Sequence, residues 1–230
     1  MPEGPATGQF YYARVTFSEA KFKPHALAIG QASLAWNSLN ESLGTVFWTV
    51  AGGSMLNWQP LAIWQSMTLD RPKRAMLLAA IEKLPPKFSE QYPRARDDIK
   101  WLCDETTNLE DLRNNVIHSP LTLTVPVSSL KTGLKSRDIV KLSNVALHYF
   151  HLNQRANRMT NKDILEEYKL CRDTALVLRN FSAHLFSVFT EENVSWPHRP
   201  RLPRRPGPKI TQPRRTCAAK PSPPPQSSQA

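Results

Sequence analysis

Arg113, Asn114 and His118 carry the residue types with the clearest chemistry in this 230-residue chain. They lie in the stretch Leu109-Glu-Asp-Leu-Arg-Asn-Asn-Val-Ile-His118-Ser-Pro120. On a helix Asn114 and His118, one turn apart, share a face, with Arg113 on its flank. A guanidinium offers a fork of donors suited to a phosphate. An imidazole exchanges a proton near neutral pH, and an amide can orient either group. Together they could hold a phosphodiester and move protons on it. Pro120 stops the helix, so the three converge on a helix end. Arg and His near such an end also complement the helix dipole, which is the bland explanation for their presence.

The same spacing recurs in Arg179-Asn180-Phe-Ser-Ala-His184. That copy falls in the middle of a helical pattern, beside the core positions Leu178, Ser182 and Leu185. The first copy is preferred because it ends a helix and is followed by an irregular segment that could wall a pocket. His148-x-x-His151 lacks a third ligand at a sensible spacing, so no metal site is expected. No phosphate-binding glycine loop or nucleophile elbow is present, and no cofactor is expected.

Charge divides the chain. The formal net charge is +11, but the sequence from Pro197 onward holds eight Lys/Arg and no Asp or Glu, leaving the rest nearly neutral. Arg199, Arg201, Arg204, Arg205, Arg214 and Arg215 are the candidate nucleic-acid contacts in this stretch, because a basic tail condenses on phosphate backbones without reading sequence. Pro, Arg, Ser and Gln dominate there, which predicts disorder. The acidic pair Asp97-Asp98 reads as a solvated helix face.

Cys103, Cys171 and Cys217 fit neither a metal knuckle nor a disulfide framework, which suggests a reducing compartment. No signal peptide is visible, and no apolar run approaches the roughly 18 residues that span a bilayer. A cytoplasmic chain without a membrane partner is expected.

Four long helical patterns must position the candidate site. Residues 24 to 51 carry Ile29, Trp36, Leu43 and Val50 at seven-residue intervals and end at Gly52-Gly53. A second pattern opens around Pro60 with Trp64 inward, restarts at Asp70-Arg71-Pro72 with Asp70 as a cap, and ends at Pro85-Pro86. Trp36, Trp48, Trp58 and Trp64 read as core. The third pattern begins at Tyr92-Pro93 and carries Ile99, Leu102, Thr106, Leu109, Leu112 and Val116 to about His118. Leu121 to Val127 alternates like a short edge strand. Val140 to Leu152 fits a short helix or an extended return beside it equally well. The fourth helix starts near Thr160 to Asp163 and carries Ile164, Tyr168, Cys171, Ala175, Leu178, Ser182, Leu185 and Phe189. The expected organisation is an irregular arm over 1–19, a helical domain over 20–195 and a basic Pro-rich tail over 196–230. The fold class is all-α: an antiparallel four-helix bundle with an irregular or small β insertion between the third and fourth long helices.

The Arg113-Asn114-x-x-x-His118 element resembles the Arg-x(4–6)-His motif of the HEPN superfamily (higher eukaryotes and prokaryotes nucleotide-binding domain), in which a polar residue commonly follows the Arg. The resemblance covers about residues 20 to 193. It implies a four- or five-helix bundle and, in many members, a metal-independent endoribonuclease in which two motifs face each other across a homodimer, including toxin and defence components. By that likeness Arg113 would contact the scissile phosphate, His118 would serve as general base or acid, and Asn114 would orient His118 or the RNA. Ser119-Pro120 stands where some members place a Tyr two residues after the His, so that assisting group is missing. The alternative from a different class is a catalytically inactive helical bundle that binds a protein partner and carries a basic, nucleic-acid-associating tail.

Overall fold

The structure is a computed structural model that describes residues 19–52, 57–117, 121–124, 141–144 and 163–205. It is mostly helical. The described elements are α1 (Glu19–Gly52), α2 (Gln59–Ser66), α3 (Asp70–Glu82), α4 (Pro86–Gln91), α5 (Ala95–Ile117), β1 (Leu121–Thr124), β2 (Lys141–Asn144) and α6 (Ile164–Thr190).

The helix ends follow local chemistry. Pro60 occupies the first turn of α2, and Pro86 opens α4, positions where a missing N–H costs nothing. Asp163 caps α6 by accepting from the backbone N–H groups of Leu165 at 2.9 Å and Glu166 at 3.3 Å. Asp163→Ala is expected to cost about 1 kcal/mol, read as a lower denaturation midpoint. Two expected ends differ. α1 begins at Glu19, so Pro24 lies inside it rather than in its first turn. Asp70 is the first residue of α3, not its cap: Leu69 holds the cap position, and the Asp70 carboxylate accepts from the Trp36 indole N–H at 2.9 Å.

Side-chain contacts fix the chain direction. α2 folds back along α1: Trp48 Nε1 donates to the Asn57 carbonyl at 2.6 Å, Phe47 packs on Trp64, and Asp70 arrives beside Trp36. α3 runs against α5, with Arg71 on Asp111, Arg74 on Thr107 and Glu82 on Arg96. α5 runs against α6, with Tyr92 at Val188, Trp101 on Phe181 and Val116 at Tyr168. The pairs Gln31–Arg172 and Ser42–Arg179 then advance together, so α1 and α6 run in the same direction. This departs from strict antiparallel order. The break before Asp70 is a reversal between α2 and α3, not a pause in one helix, and the extra turn inverts every later helix relative to α1.

One core joins all of this. α1 contributes Ala28, Ala32, Trp36, Leu39, Leu43, Val46 and Phe47, α3 Leu77 and Ile81, and α5 Ile99, Leu102, Leu109 and Val116. α6 contributes Ile164, Tyr168, Cys171, Ala175, Leu178, Phe181 and Leu185. The buried band of α1 is wider than the seven-residue stripe because α2, α3 and α6 all cover it. Trp58 differs from its expected core position. It is 62% exposed and stacks on buried Trp48 with centroids 4.4 Å apart. Gly44 is required by close approach: a Cβ there would lie 2.7 Å from Trp64 Nε1. Gly44→Ala is expected to destabilise the fold by about 1–2 kcal/mol despite better helix propensity, because the Trp64 ring has nowhere to go. A thermal melt checks the sign.

β1 and β2 pair antiparallel in the register Leu121↔Asn144 to Thr124↔Lys141. Lys141 to Asn144, four residues of the Val140 to Leu152 segment, are extended. The rest of the expected insertion lies outside the described residues.

After α6 the chain reverses at Asn193, a left-handed residue with φ 67°. Residues 194–205 then run back along α5 and α6 as an extended strap. Trp196 packs among Tyr92 and Phe189, Pro197 is buried, and Leu202 packs against the core. The helical domain therefore does not end at 195. A Trp, a Pro and a Leu within the basic stretch supply apolar burial that its overall composition hides.

Candidate functional site

α5 carries Arg113 and Asn114 in its last turns, one turn before it ends at Ile117. Acidic and polar residues occupy its outer side, while Leu109 and Val116 anchor the inner side in the core. That anchoring turns Arg113 toward α1. Its guanidinium lies over the Trp36 ring, 5.5 Å from the centroid. Trp36 is itself held by its indole bond to Asp70. Arg113 Nη1 donates to Asn114 Oδ1 at 3.1 Å. Arg113 Nε is buried without a hydrogen-bond partner. Among the described residues no carboxylate pairs with Arg113, although both its side chain and Asn114 are half-buried.

A half-buried cation normally recruits an anion, because desolvation is otherwise uncompensated. Arg74, the most deeply buried of the described guanidiniums in ion pairs, follows this rule and meets Glu110. Arg113 is held instead by an aromatic face and a neutral amide, which fix its direction without neutralising it. Such a group can take a phosphate oxygen with no partner to displace. His118, the third expected member, lies outside the described residues, as do His148 and His151.

The second copy of the motif forms the same local bond, since Arg179 Nε and Nη2 donate to Asn180 Oδ1 at 3.1 and 2.6 Å. The Arg–Asn contact is therefore a property of neighbouring residues on any helix and identifies nothing. What separates the copies is setting. Asn180 and His184 are exposed in the middle of α6, and no ring lies under Arg179 among the described residues. Arg113 sits on an aromatic face at a helix end.

Of the six tail arginines, the structure separates two from the others. Arg199 Nε donates to Asp98 Oδ1 at 2.5 Å and stacks over Trp101. Arg205 grips Glu167 with Nε at 2.7 Å and Nη2 at 3.0 Å. These hydrogen bonds raise the pKa of Arg205 still further. Both side chains dock the strap, so among the described residues these two nucleic-acid candidates are bound to carboxylates of the fold. Arg201 and Arg204 are exposed and line, with Leu202 and Pro203, an open concavity of about 520 Å³. Arg214 and Arg215 lie outside the described residues.

Asp98 was missed at the sequence level. It is 1% exposed rather than solvated, accepts from Trp196 Nε1 at 2.7 Å and from Arg199, and forms an ion pair with Arg94 at 3.2 Å. Its signal was the buried phase of Ala95, Ile99 and Leu102, which Asp98 shares at spacings of three and four.

Cys171 stands where several elements meet. Burial pushes its thiol up to about 12, with the Glu167 charge adding to this and Arg113 and Arg205 opposing it. Cys103 is likewise pushed to about 12 by burial. Both stay protonated at neutral pH and are poor nucleophiles. Among the described residues no group of three or more His, Cys, Asp or Glu side chains is placed to hold a metal ion. No described helix is long and apolar enough to cross a membrane.

No family model matches the chain, and comparison with curated proteins and with solved structures gives no significant match.

Proposed function

We propose that this chain is a HEPN-like helical-bundle domain that binds RNA through the end of α5. The observation that carries the proposal is the half-buried Arg113 guanidinium, aimed by Trp36 and Asn114 and left without a carboxylate among the described residues. Its ligand is a phosphodiester. In the fuller form of the proposal the domain is a metal-independent endoribonuclease, acting in a toxin or defence setting as a homodimer with two such elements opposed. The RNA 2′-oxygen attacks the adjacent phosphorus, and the bond to the 5′-oxygen breaks. A cyclic phosphate and a 5′-hydroxyl result. Arg113 stabilises charge on the phosphoryl oxygens. His118 takes the 2′-proton or supplies one to the leaving oxygen. Asn114 holds the Arg113 fork in place.

The test is incubation of the purified chain with RNA in excess chelator, beside Arg113→Ala and His118→Ala. Cleavage by the parent and its loss in both variants is expected. Cleavage that persists in both variants, or no cleavage by the parent, removes the enzyme; unchanged RNA affinity in Arg113→Ala removes the binding site.

One observation favours the alternative, a silent bundle with a protein partner. Leu27 and Leu34, one heptad apart on α1, are 62% and 71% exposed among the described residues. A protein partner would cover such a stripe.

A further inference from the structure

One face of α1 is uncovered among the described residues. Lys23, Leu27, Gly30, Leu34, Asn37 and Glu41 are all exposed, and they follow one another at alternating steps of four and three. That is the spacing of a seam along which one helix packs on another. Leu27 and Leu34 are 62% and 71% exposed in its middle, while Ala28 and Ala32, on the opposite side of the same turns, are buried in the core.

Gly30 lies between the two leucines. A glycine inside a helix weakens it, and close approach of another group is the usual reason to keep one. No such group comes from the described fold, because a Cβ at Gly30 would meet nothing within 4 Å. Gly44 on the same helix is the contrast, since a Cβ there would strike Trp64. The exposed notch at Gly30, with a leucine on either side, suits a side chain arriving from outside the chain.

The six residues also say what arrives. Let a second α1 lie antiparallel on the first, about a two-fold axis at the level of residue 32. Leu34 then meets Gly30, Leu27 meets Asn37 and Lys23 meets Glu41, each pairing occurring twice. A leucine fills each notch, and a cation meets an anion at both ends. Within one chain Lys23 and Glu41 lie about 27 Å apart along the helix and cannot pair. Neither forms a salt bridge among the described residues. A parallel arrangement would set Lys23 on Lys23 and Glu41 on Glu41, so the charges select the antiparallel one.

We propose that this face of α1 is the interface of a symmetric dimer, in which two copies of the chain pack antiparallel across Leu27, Gly30 and Leu34 with Lys23 paired to Glu41 at each end. The second copy is then the protein that covers the leucine stripe. The inference goes beyond the RNA reading and does not rest on it. Trp36, on whose ring Arg113 lies, points roughly 140° away from this seam around α1. The face is therefore different from one that would oppose two α5 ends. A single helix pair is a small interface, so the dimer is expected to be weak, in the micromolar range.

The test is sedimentation velocity of the full chain over about 1 to 200 µM, with Leu34→Asp, Lys23→Glu, Glu41→Lys and the combined Lys23→Glu/Glu41→Lys. The parent is expected to pass from monomer to dimer across that range. Leu34→Asp is expected to weaken dimerisation about tenfold or more, because it sets an anion in the desolvated middle of the seam, and to melt like the parent when both are dilute. Each single charge change is expected to weaken the dimer severalfold by opposing like charges at both ends. The combination is expected to return to within about twofold of the parent. A parent that stays monomeric overturns the proposal and leaves the face to another protein or another segment of this chain. A dimer indifferent to Leu34→Asp overturns it as well, since the copies then meet elsewhere. A combined charge variant no stronger than the single ones rejects the antiparallel pairing. The RNA reading is tested separately by Arg113→Ala: RNA binding can fail while the dimer persists, and the dimer can fail while RNA binding persists.

Discussion

Asp98→Ala is expected to release the strap and lower the stability of the fold by about 2–3 kcal/mol. The carboxylate is 1% exposed, receives the Trp196 indole and the Arg199 guanidinium, and pairs with Arg94 in the turn just before α5. Removing a buried partner of this kind commonly costs about 3–5 kcal/mol when the charge left behind is also buried. Here Arg199 and Arg94 are nearly half exposed and can turn to water, so the lower figure applies. The indole cannot escape as easily, because Trp196 packs among Tyr92 and Phe189. Two measurements check this. A denaturant melt should show a lower midpoint. Limited trypsin digestion should cut after Arg201 and Arg204 much earlier than in the parent. Unchanged melting and protection would mean that the apolar contacts of Trp196, Pro197 and Leu202 hold the strap alone. Asp98→Asn should lie between, since it keeps an acceptor for the indole and loses the charge.

The second large effect concerns chemistry. His118→Ala is expected to lower RNA cleavage about 10²- to 10⁴-fold while leaving RNA affinity nearly intact, as removal of a general acid or base does. Arg113→Ala is expected to lower cleavage by about 10²- to 10³-fold and to weaken binding as well, because in the proposed mechanism its guanidinium would serve both the bound phosphate and the charge that develops on it. The split between the two variants carries the information. A cleavage-rate profile against pH should show the imidazole's titration in the parent and lose that limb in His118→Ala. If both variants lose affinity and rate equally, His118 positions RNA and does not transfer a proton.

The helices were legible because the buried positions of α5 and α6 keep a clean three-and-four spacing. Ile99, Leu102, Thr106, Leu109 and Val116 are all buried, as are Ile164, Tyr168, Cys171, Ala175, Leu178 and Leu185. The topology was less so. A helix break and a chain reversal look alike at Asp70-Arg71-Pro72, because both need a turn followed by a proline-tolerant helix start; only tertiary contacts at Trp36 and Trp48 tell them apart. The strap was hidden for a compositional reason. Its flanks are Pro- and Arg-rich, so a window average masks the few residues that dock it. Docking depends on two buried acids, Asp98 and Glu167, far away in sequence. For the candidate site, residue types and spacing located Arg113 and Asn114, but spacing could not choose between that copy and Arg179 with Asn180. The choice comes from Trp36, which lies 77 residues earlier in the chain and whose ring supports only the first copy among the described residues.

That choice is also the point most directly open to measurement. The affinity of a labelled single-stranded RNA should be compared for the parent, Arg113→Gln and Arg179→Gln under identical low-salt conditions. Each variant removes one positive charge from an Arg–Asn pair of the same spacing, so a purely nonspecific charge effect would act on both alike. Binding weakened about tenfold or more by Arg113→Gln, with Arg179→Gln within about twofold of the parent, is the predicted result. Equal losses in the two variants, or a loss confined to Arg179→Gln, would contradict an RNA site at the end of α5.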